Sequence, residues 1–242
     1  MADKPLKQAM VLAAGLGKRM GVLSETLPKP LVEIAGRTML DRAIDNLEFA
    51  GVDKIVVNTF YKAEMVEEHL SRRKFPHIVI SHETELLETG GGIAKALPHF
   101  DGEAFFSVNS DVIWFEEQSP ALRLLASRWK DSFDGMLLLH RRETAVGYEG
   151  SGDFSSDGEG NMTRRPAEST APYIYTGIQI LHPRLFEGCP QGAFSLNILY
   201  NKAISASPPR LKSALHEGAL LNAGDLKGKK LTEDYISCFI EQ

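Results

Sequence analysis

The sequence predicts an α/β fold in which a mixed, mostly parallel sheet is flanked by helices. Through the first half of the chain, short apolar runs alternate with stretches whose apolar residues recur at helical spacing. Repeated strand–helix units of this kind leave helices on both faces of a parallel sheet, because the crossovers are right-handed. From about residue 131 two longer strand-like runs are separated by polar, glycine-rich sequence. That change predicts a mixed-sheet extension that covers the site.

Residues 7–13 (KQAMVLA) form a short buried strand by this reading. Residues 38–50 set Met39, Ala43, Leu47 and Ala50 near helical spacing, and Gly51 stands where a helix-ending glycine belongs. A strand at 55–60, a helix at 64–72, a strand at 78–81, a short helix at 91–97 and a strand at 104–108 continue the alternation. Further on, 135–140 and 173–182 read as strands, SDGEGN (156–161) as a hairpin turn, and 232–240 as a C-terminal helix.

The chain has 242 residues, 43% of them hydrophobic and 24% charged, enough to bury a core without disulfides or a structural metal. Cys189 and Cys238 show no paired spacing, which argues against a disulfide scaffold or a zinc knuckle and fits a reducing cytoplasm. The formal charge of −5 argues against a protein that tracks nucleic-acid backbones. Neither a signal peptide nor an apolar run of membrane-spanning length is legible. The histidines lack metal spacing, and no serine sits in a nucleophile elbow.

The strongest local signal is AAGLGKRM, Ala13 to Met20, directly after the first strand. Ala13, Ala14, Gly15 and Gly17 are small enough for backbone amides to approach an anion, and phosphate is its natural form. A Walker A loop would need glycine at Leu12 and Ser or Thr at Arg19; a dinucleotide fingerprint would need glycine at Met20. Neither spacing is met. What remains is a glycine loop carrying Lys18 and Arg19, followed by Lys29 in LPKPL, where Pro28 and Pro30 restrict the backbone that presents its ammonium group. Asp111 follows the apolar run 105–108, so it falls at the carboxyl end of a central strand, the edge where open α/β sheets bind ligands. One or two carboxylates suffice for Mg²⁺, which keeps much of its coordination for phosphate and water.

AAGLGKRM and LPKPL, together with LLETGGGIAKAL, FFSVNSDV, GDF, YTGIQILHPRLF and GAFSL, resemble the sugar-1-phosphate nucleotidylyltransferases over most of the chain. The resemblance implies one Rossmann-like domain over 1–242 of the nucleotide-diphospho-sugar transferase type. Its nucleotide-binding half would span about 1–115 and its sugar-binding half about 116–242. It also implies attack by a sugar 1-phosphate on the α-phosphorus of a nucleoside triphosphate. Arg19 and Lys29 take the catalytic places, and Ala13, Ala14, Gly15, Gly17, Lys18, Gly90 and Gly91 the nucleotide site. Glu88, Asn109, Asp153, Thr176 and Gly177 fall on the sugar side, and Asp111 is the implied Mg²⁺ ligand. Tyr173 and Tyr175 are read as packing residues.

The likeness is nearest to short bacterial uridylyltransferases of peptidoglycan recycling. UTP and N-acetylmuramate 1-phosphate are therefore the favoured partners, with a mannose-1-phosphate guanylyltransferase as the alternative. The second metal carboxylate of many relatives is replaced here by Asn222 in LLNAGD. That leaves a catalytically impaired sensor as a further alternative, or compensation by Asp225, Glu217 or His216.

Overall fold

A computed structural model describes residues 5–240. The first strands and helices are β1 (Gln8–Leu12), α1 (Leu23–Thr26), β2 (Glu33–Ile34), β3 (Arg37–Thr38), α2 (Met39–Phe49), β4 (Lys54–Thr59) and α3 (Ala63–Ser71). Then come β5 (His77–His82), α4 (Glu88–Ala96), β6 (Phe105–Asn109), β7 (Val112–Trp114), α5 (Ala121–Arg128) and β8 (Gly135–Arg141). The chain continues through β9 (Phe154–Ser156), β10 (Met162–Arg164), β11 (Tyr173–Leu181), α6 (Asn197–Ile204), β12 (Leu211–His216), β13 (Leu220–Asn222) and α7 (Leu226–Ile240).

The main sheet runs β5-β4-β1-β6-β11-β8-β12. Its pairs β1·β4, β1·β6, β4·β5 and β8·β12 are parallel, whereas β11 runs antiparallel to both β6 and β8. The α/β expectation and the change of rhythm after residue 131 therefore both hold. The β9–β10 hairpin turns at SDGEGN and joins the amino-terminal end of β11. Asp157 stabilises that turn by accepting from the amides of Glu159 and Asn161 at 2.9 and 2.8 Å.

Helices cover both faces. On one, α2 buries Leu40, Ala43, Ile44 and Leu47 beside Val66 of α3 and Leu122 and Leu125 of α5. The Thr38 hydroxyl starts α2 by accepting from the Asp41 amide at 3.0 Å. On the other face, Ile93 and Ala96 of α4 meet Leu199, Tyr200 and Ala203 of α6. A third cluster joins Met20, Val32, Met39, Ile113 and Leu221 to Ile236 of α7. The carboxyl-terminal helix thus braces the segment that follows the glycine loop. Among the described residues no helix is long and apolar enough to cross a membrane.

Candidate active site

β1 and β6 are parallel neighbours, so their carboxyl ends open at one edge of the sheet. β1 leads into the glycine loop and β6 into Ser110 and Asp111, and the Ser110 amide donates to the Leu12 carbonyl at 3.2 Å. The loop is pinned by Met20, which is fully buried. Burying one such side chain is worth about 1.5–3 kcal/mol. Gly17 has φ +64°, and a Cβ there would lie 2.9 Å from Lys29 Cβ. Glycine at this position lets the Lys29 stem cross the loop. Pro28 and Pro30 are buried on either side of Lys29, as a stiff segment requires.

The Lys29 ammonium forms an ion pair with the Asp111 carboxylate, the two side chains being 12% and 22% exposed. Lys18 and Arg19 are exposed. The Arg19 guanidinium reaches Gly224, where a Cβ would be 3.2 Å from its Nη2. Together these groups line a cavity of about 480 Å³ with Gly15, Asn109 and Thr89. A side chain at Gly15 would meet no protein atom within 4 Å, so the space beside it is open to a ligand.

A smaller cavity of about 130 Å³ shares Leu12, Thr89 and Asn109 with the first and continues to Tyr175, Gln179, Asn197 and Tyr200. The Tyr200 hydroxyl donates to Gln179 Oε1 at 2.5 Å, and burial raises its pKa well above the ordinary phenol value. Tyr175 packs edge-on against Tyr200, and its buried hydroxyl has no hydrogen-bond partner among the described residues. One side chain back, Arg164 donates to Asn197 Oδ1 at 2.6 Å and to Asn201 Oδ1 at 2.9 Å and lies 4.6 Å over the Phe154 ring. Among the described residues no carboxylate pairs with it, and burial lowers its pKa from the ordinary arginine value.

Residues 9–187 match the MobA-like NTP transferase domain, about three quarters of the chain. The chain belongs to that family. It is 37% identical to the N-acetylmuramate alpha-1-phosphate uridylyltransferase of Caulobacter vibrioides over 96% of this chain and 98% of that protein. The protein of the same name from Neisseria meningitidis serogroup B is 31% identical over 77% of this chain and 80% of its own length. A UDP-glucose pyrophosphorylase solved with UDP-glucose superposes with a TM-score of 0.80 at 15% identity, covering 96% of this chain and 99% of that one. The protein is thus a nucleotidyltransferase of the sugar-1-phosphate nucleotidylyltransferase family.

Against this family frame, the structure gathers Ala13, Gly15, Gly17, Lys18, Arg19, Lys29, Asn109 and Asp111 around the larger cavity. Several residues expected at the site have bonding partners within the protein. The Ala13 amide donates to Asn58 Oδ1 at 2.8 Å, while Ala14 is buried outside the cavity wall. The Gly90 and Gly91 amides both donate to the Phe194 carbonyl, at 2.9 and 3.2 Å. A Cβ at Gly90 would fall 2.3 Å from the Phe194 ring, and one at Gly91 would fall 2.2 Å from the Gly192 carbonyl oxygen. Their smallness admits the 192–194 segment. Glu88 is exposed at the start of α4 with φ +57° and lines neither cavity.

On the expected sugar side, Asp153 Oδ2 accepts from the Tyr175 amide at 2.9 Å. The buried Thr176 hydroxyl donates to the Leu138 carbonyl at 2.9 Å and accepts from the Ile178 amide at 3.1 Å. Both bridge the register shift of β11 between Tyr175 and Gln179. Gly177 acts indirectly, by leaving room for the Asn109 side chain.

Asn222 pairs with Val112 in the β7–β13 ladder, and its neighbour's amide, at Ala223, donates to the Asp111 carbonyl at 3.2 Å. Its own side-chain oxygen accepts from the Gly224 amide at 2.8 Å. The three compensating candidates lie elsewhere in their bonding. Asp225 accepts from the Gly228 amide at the start of α7, Glu217 lies 3.7 Å from Arg141, and His216 bonds Ser119. Among the described residues no group of three or more His, Cys, Asp or Glu could hold a metal ion.

Sequence reasoning missed Asn58, Glu83, Thr89, Gln179 and Asn197. For Asn58 and Gln179 the available signal was a polar residue inside an apolar run, as in VVNTF and YTGIQIL. Such residues are buried only when they have partners.

Proposed function

We propose that this nucleotidyltransferase joins UTP to N-acetylmuramate 1-phosphate, giving a UDP-sugar and pyrophosphate, in the cytoplasm and as part of peptidoglycan recycling. The observation that carries the reading is the Lys29–Asp111 pair, a cation and a carboxylate in direct contact in the wall of the glycine-loop cavity. The identity to the Caulobacter protein supports the choice of base and sugar. Arg164 supports it independently: N-acetylmuramate carries a carboxylate, and among the described residues no carboxylate is in ion-pair contact with this arginine, whose partner Asn197 lines the smaller cavity.

A phosphate monoester has a second pKa near 6, so the sugar phosphate is already ionised at neutral pH and needs no side-chain base. Charge repulsion between two anions is the obstacle, and positioning with electrostatic neutralisation is the remedy. In this reading Lys29 holds the α-phosphate and the incoming sugar phosphate in line. Arg19 neutralises the β- and γ-phosphates as pyrophosphate leaves. The loop backbone around Gly15 and Gly17 seats the triphosphate. Asp111 suits Mg²⁺, because a single carboxylate beside a phosphate site meets that ion's needs, and the Asn222 amide oxygen retains a second lone pair. Bound there, Mg²⁺ would supply Lewis-acid neutralisation of phosphate oxygens.

The test is pyrophosphate release from the four nucleoside triphosphates, each with N-acetylmuramate, N-acetylglucosamine, glucose and mannose 1-phosphates. Release with UTP and N-acetylmuramate 1-phosphate above all other pairs is expected. GTP with mannose 1-phosphate as the best pair would replace this reading with a guanylyltransferase. Asn222 favours one further reading, a sensor, because an amide contributes no charge to the metal. Thermal stabilisation by UTP without pyrophosphate from any pair would select it.

A further inference from the structure

Glu83 is 1% exposed, and among the described residues no lysine, arginine or histidine nitrogen lies within ion-pair distance of it. Its two oxygens are held by different parts of the molecule. Oε1 accepts from Asn58 Nδ2 at 2.7 Å, and Oε2 accepts from the Leu87 amide at 3.2 Å. Asn58 sits beside Leu12 in the β1–β4 ladder, and its side-chain oxygen accepts from the Ala13 amide at 2.8 Å. Gly92 of α4 closes over the pair, since a Cβ there would lie 2.8 Å from Glu83 Oε1 and 3.0 Å from Asn58 Nδ2.

This chain of bonds ties the two walls of the larger cavity together. One wall is the glycine loop, which starts at Ala13; the other contains Leu86 and Thr89, on either side of Leu87 and Glu88. A carboxylate only accepts, so it forces the Asn58 amide group toward itself and the Asn58 oxygen toward the loop. With the opposite polarity, two donors would face each other at Ala13, leaving a buried amide unpaired. We infer that Glu83 is a positioning residue that sets the orientation of Asn58, and through it the width of the nucleotide slot between the glycine loop and the 86–89 segment. It rests on the reading of this cavity as the triphosphate site.

The bonding pattern can be inverted without loss. In the double variant Glu83→Gln with Asn58→Asp, the carboxylate at 58 accepts from Ala13 and from the new amide group. The side-chain oxygen at 83 then accepts from Leu87. Each single change breaks the pattern: Glu83→Gln sets a donor against a donor, and Asn58→Asp sets two carboxylates together. Steady-state kinetics against UTP should show KM raised about tenfold or more in each single variant, with kcat changed less than threefold. The double variant should return KM to within about threefold of the starting protein.

A side chain that served stability alone would lower the melting temperature and leave the KM of the folded enzyme unchanged, and that result overturns the inference. A double variant no better than the worse single variant overturns it too. If Glu83→Gln does not fold, the comparison of Asn58→Asp with the double variant decides by the same criterion. Failure of the starting protein to turn over any triphosphate would refute the functional reading instead, whereas normal turnover with an unchanged KM in the single variants would refute only the role of Glu83.

Discussion

Lys29 and Asp111 neutralise each other in the cavity, although 82 residues separate them in the chain. The proline-flanked turn brings one and the end of β6 the other. On the proposed reading a phosphate would take the ammonium group and a metal ion the carboxylate, so each partner would exchange one opposite charge for another. The pair thus keeps both groups in place, and their largely buried stems lose little further freedom on binding. Replacing Lys29 by Met should lower kcat/KM by about 10²–10³, the scale of losing one transition-state electrostatic contact. Circular dichroism should show the fold unchanged. Turnover within threefold of the starting protein would remove Lys29 from the mechanism.

Gly177 has φ +84°, and a Cβ there would come within 2.9 Å of both Asn109 Nδ2 and Val112 Cγ2. Substitution by alanine therefore combines a strained backbone with a clash against a cavity-lining side chain. We expect urea denaturation to show a loss of about 1–3 kcal/mol. The KM for the sugar phosphate should rise as Asn109 is displaced. A fully stable Gly177→Ala protein would mean that β11 relaxes at its register shift more readily than these contacts allow.

His216 is buried, and its Nε2 lies 3.0 Å from the Ser119 hydroxyl. Burial lowers its pKa below 6.5, and repulsion from His140 acts in the same direction, against a hydrogen bond that the imidazole donates to the Ser119 carbonyl. The unfolded chain therefore takes up this proton first as the pH falls. Stability from this source is full above about pH 6.5 and is lost as the pH drops through the lowered value. Melting temperature measured from pH 7.5 to pH 5 should fall less steeply for His216→Gln. His182, lowered chiefly by burial, leaves a residual slope of the same sign. Parallel curves for the two proteins would contradict this account.

The parallel strands were legible because a strand buried on both faces is a continuous apolar run, as in β1, β4 and β6. β12 was not, since LKSALH mixes lysine and serine into a strand whose burial comes from pairing with β8, far earlier in the chain. The eight-residue helices α5 and α6 were equally silent, because helices this short are stabilised by the surfaces they cover. At the site, the loop and Lys29 could be read from contiguous motifs. Asp153 and Thr176 were read as sugar-side residues, and a polar side chain at a strand irregularity looks the same in sequence whether it bonds a backbone group or a sugar hydroxyl. The Glu83–Asn58–Ala13 chain joins three separate segments and has no local signature.

Asn222 pairs in the ladder with Val112, the residue after Asp111, and its amide oxygen accepts from the Gly224 amide. An aspartate there keeps that acceptor and adds a charge. Asn222→Asp should therefore lower the Mg²⁺ concentration for half-maximal pyrophosphate release, by about tenfold for one added carboxylate. Asp111→Asn should abolish the saturable Mg²⁺ response. If Asn222→Asp titrates like the starting protein, the β7–β13 ladder does not bring residue 222 to the metal.

On the proposed reading, Arg164 would discriminate between sugars with and without an acidic substituent. Its guanidinium is held by Asn197 and Asn201 and stacked over Phe154, so its position is fixed before any ligand arrives. Both anchoring groups are neutral oxygens, and although Asp153 is near enough to favour the charge, no carboxylate is in ion-pair contact with it in this half-buried setting, where a ligand carboxylate gains more than it would in water. N-acetylmuramate 1-phosphate and N-acetylglucosamine 1-phosphate differ by a lactyl ether that carries that carboxylate, so the ratio of their kcat/KM values isolates the effect. Arg164→Gln should reduce the ratio by about tenfold or more. Reading the ratio separates recognition from folding, because a loss of folded enzyme lowers both values together. An unchanged ratio would mean that the carboxylate is bound elsewhere or that the true substrate has none.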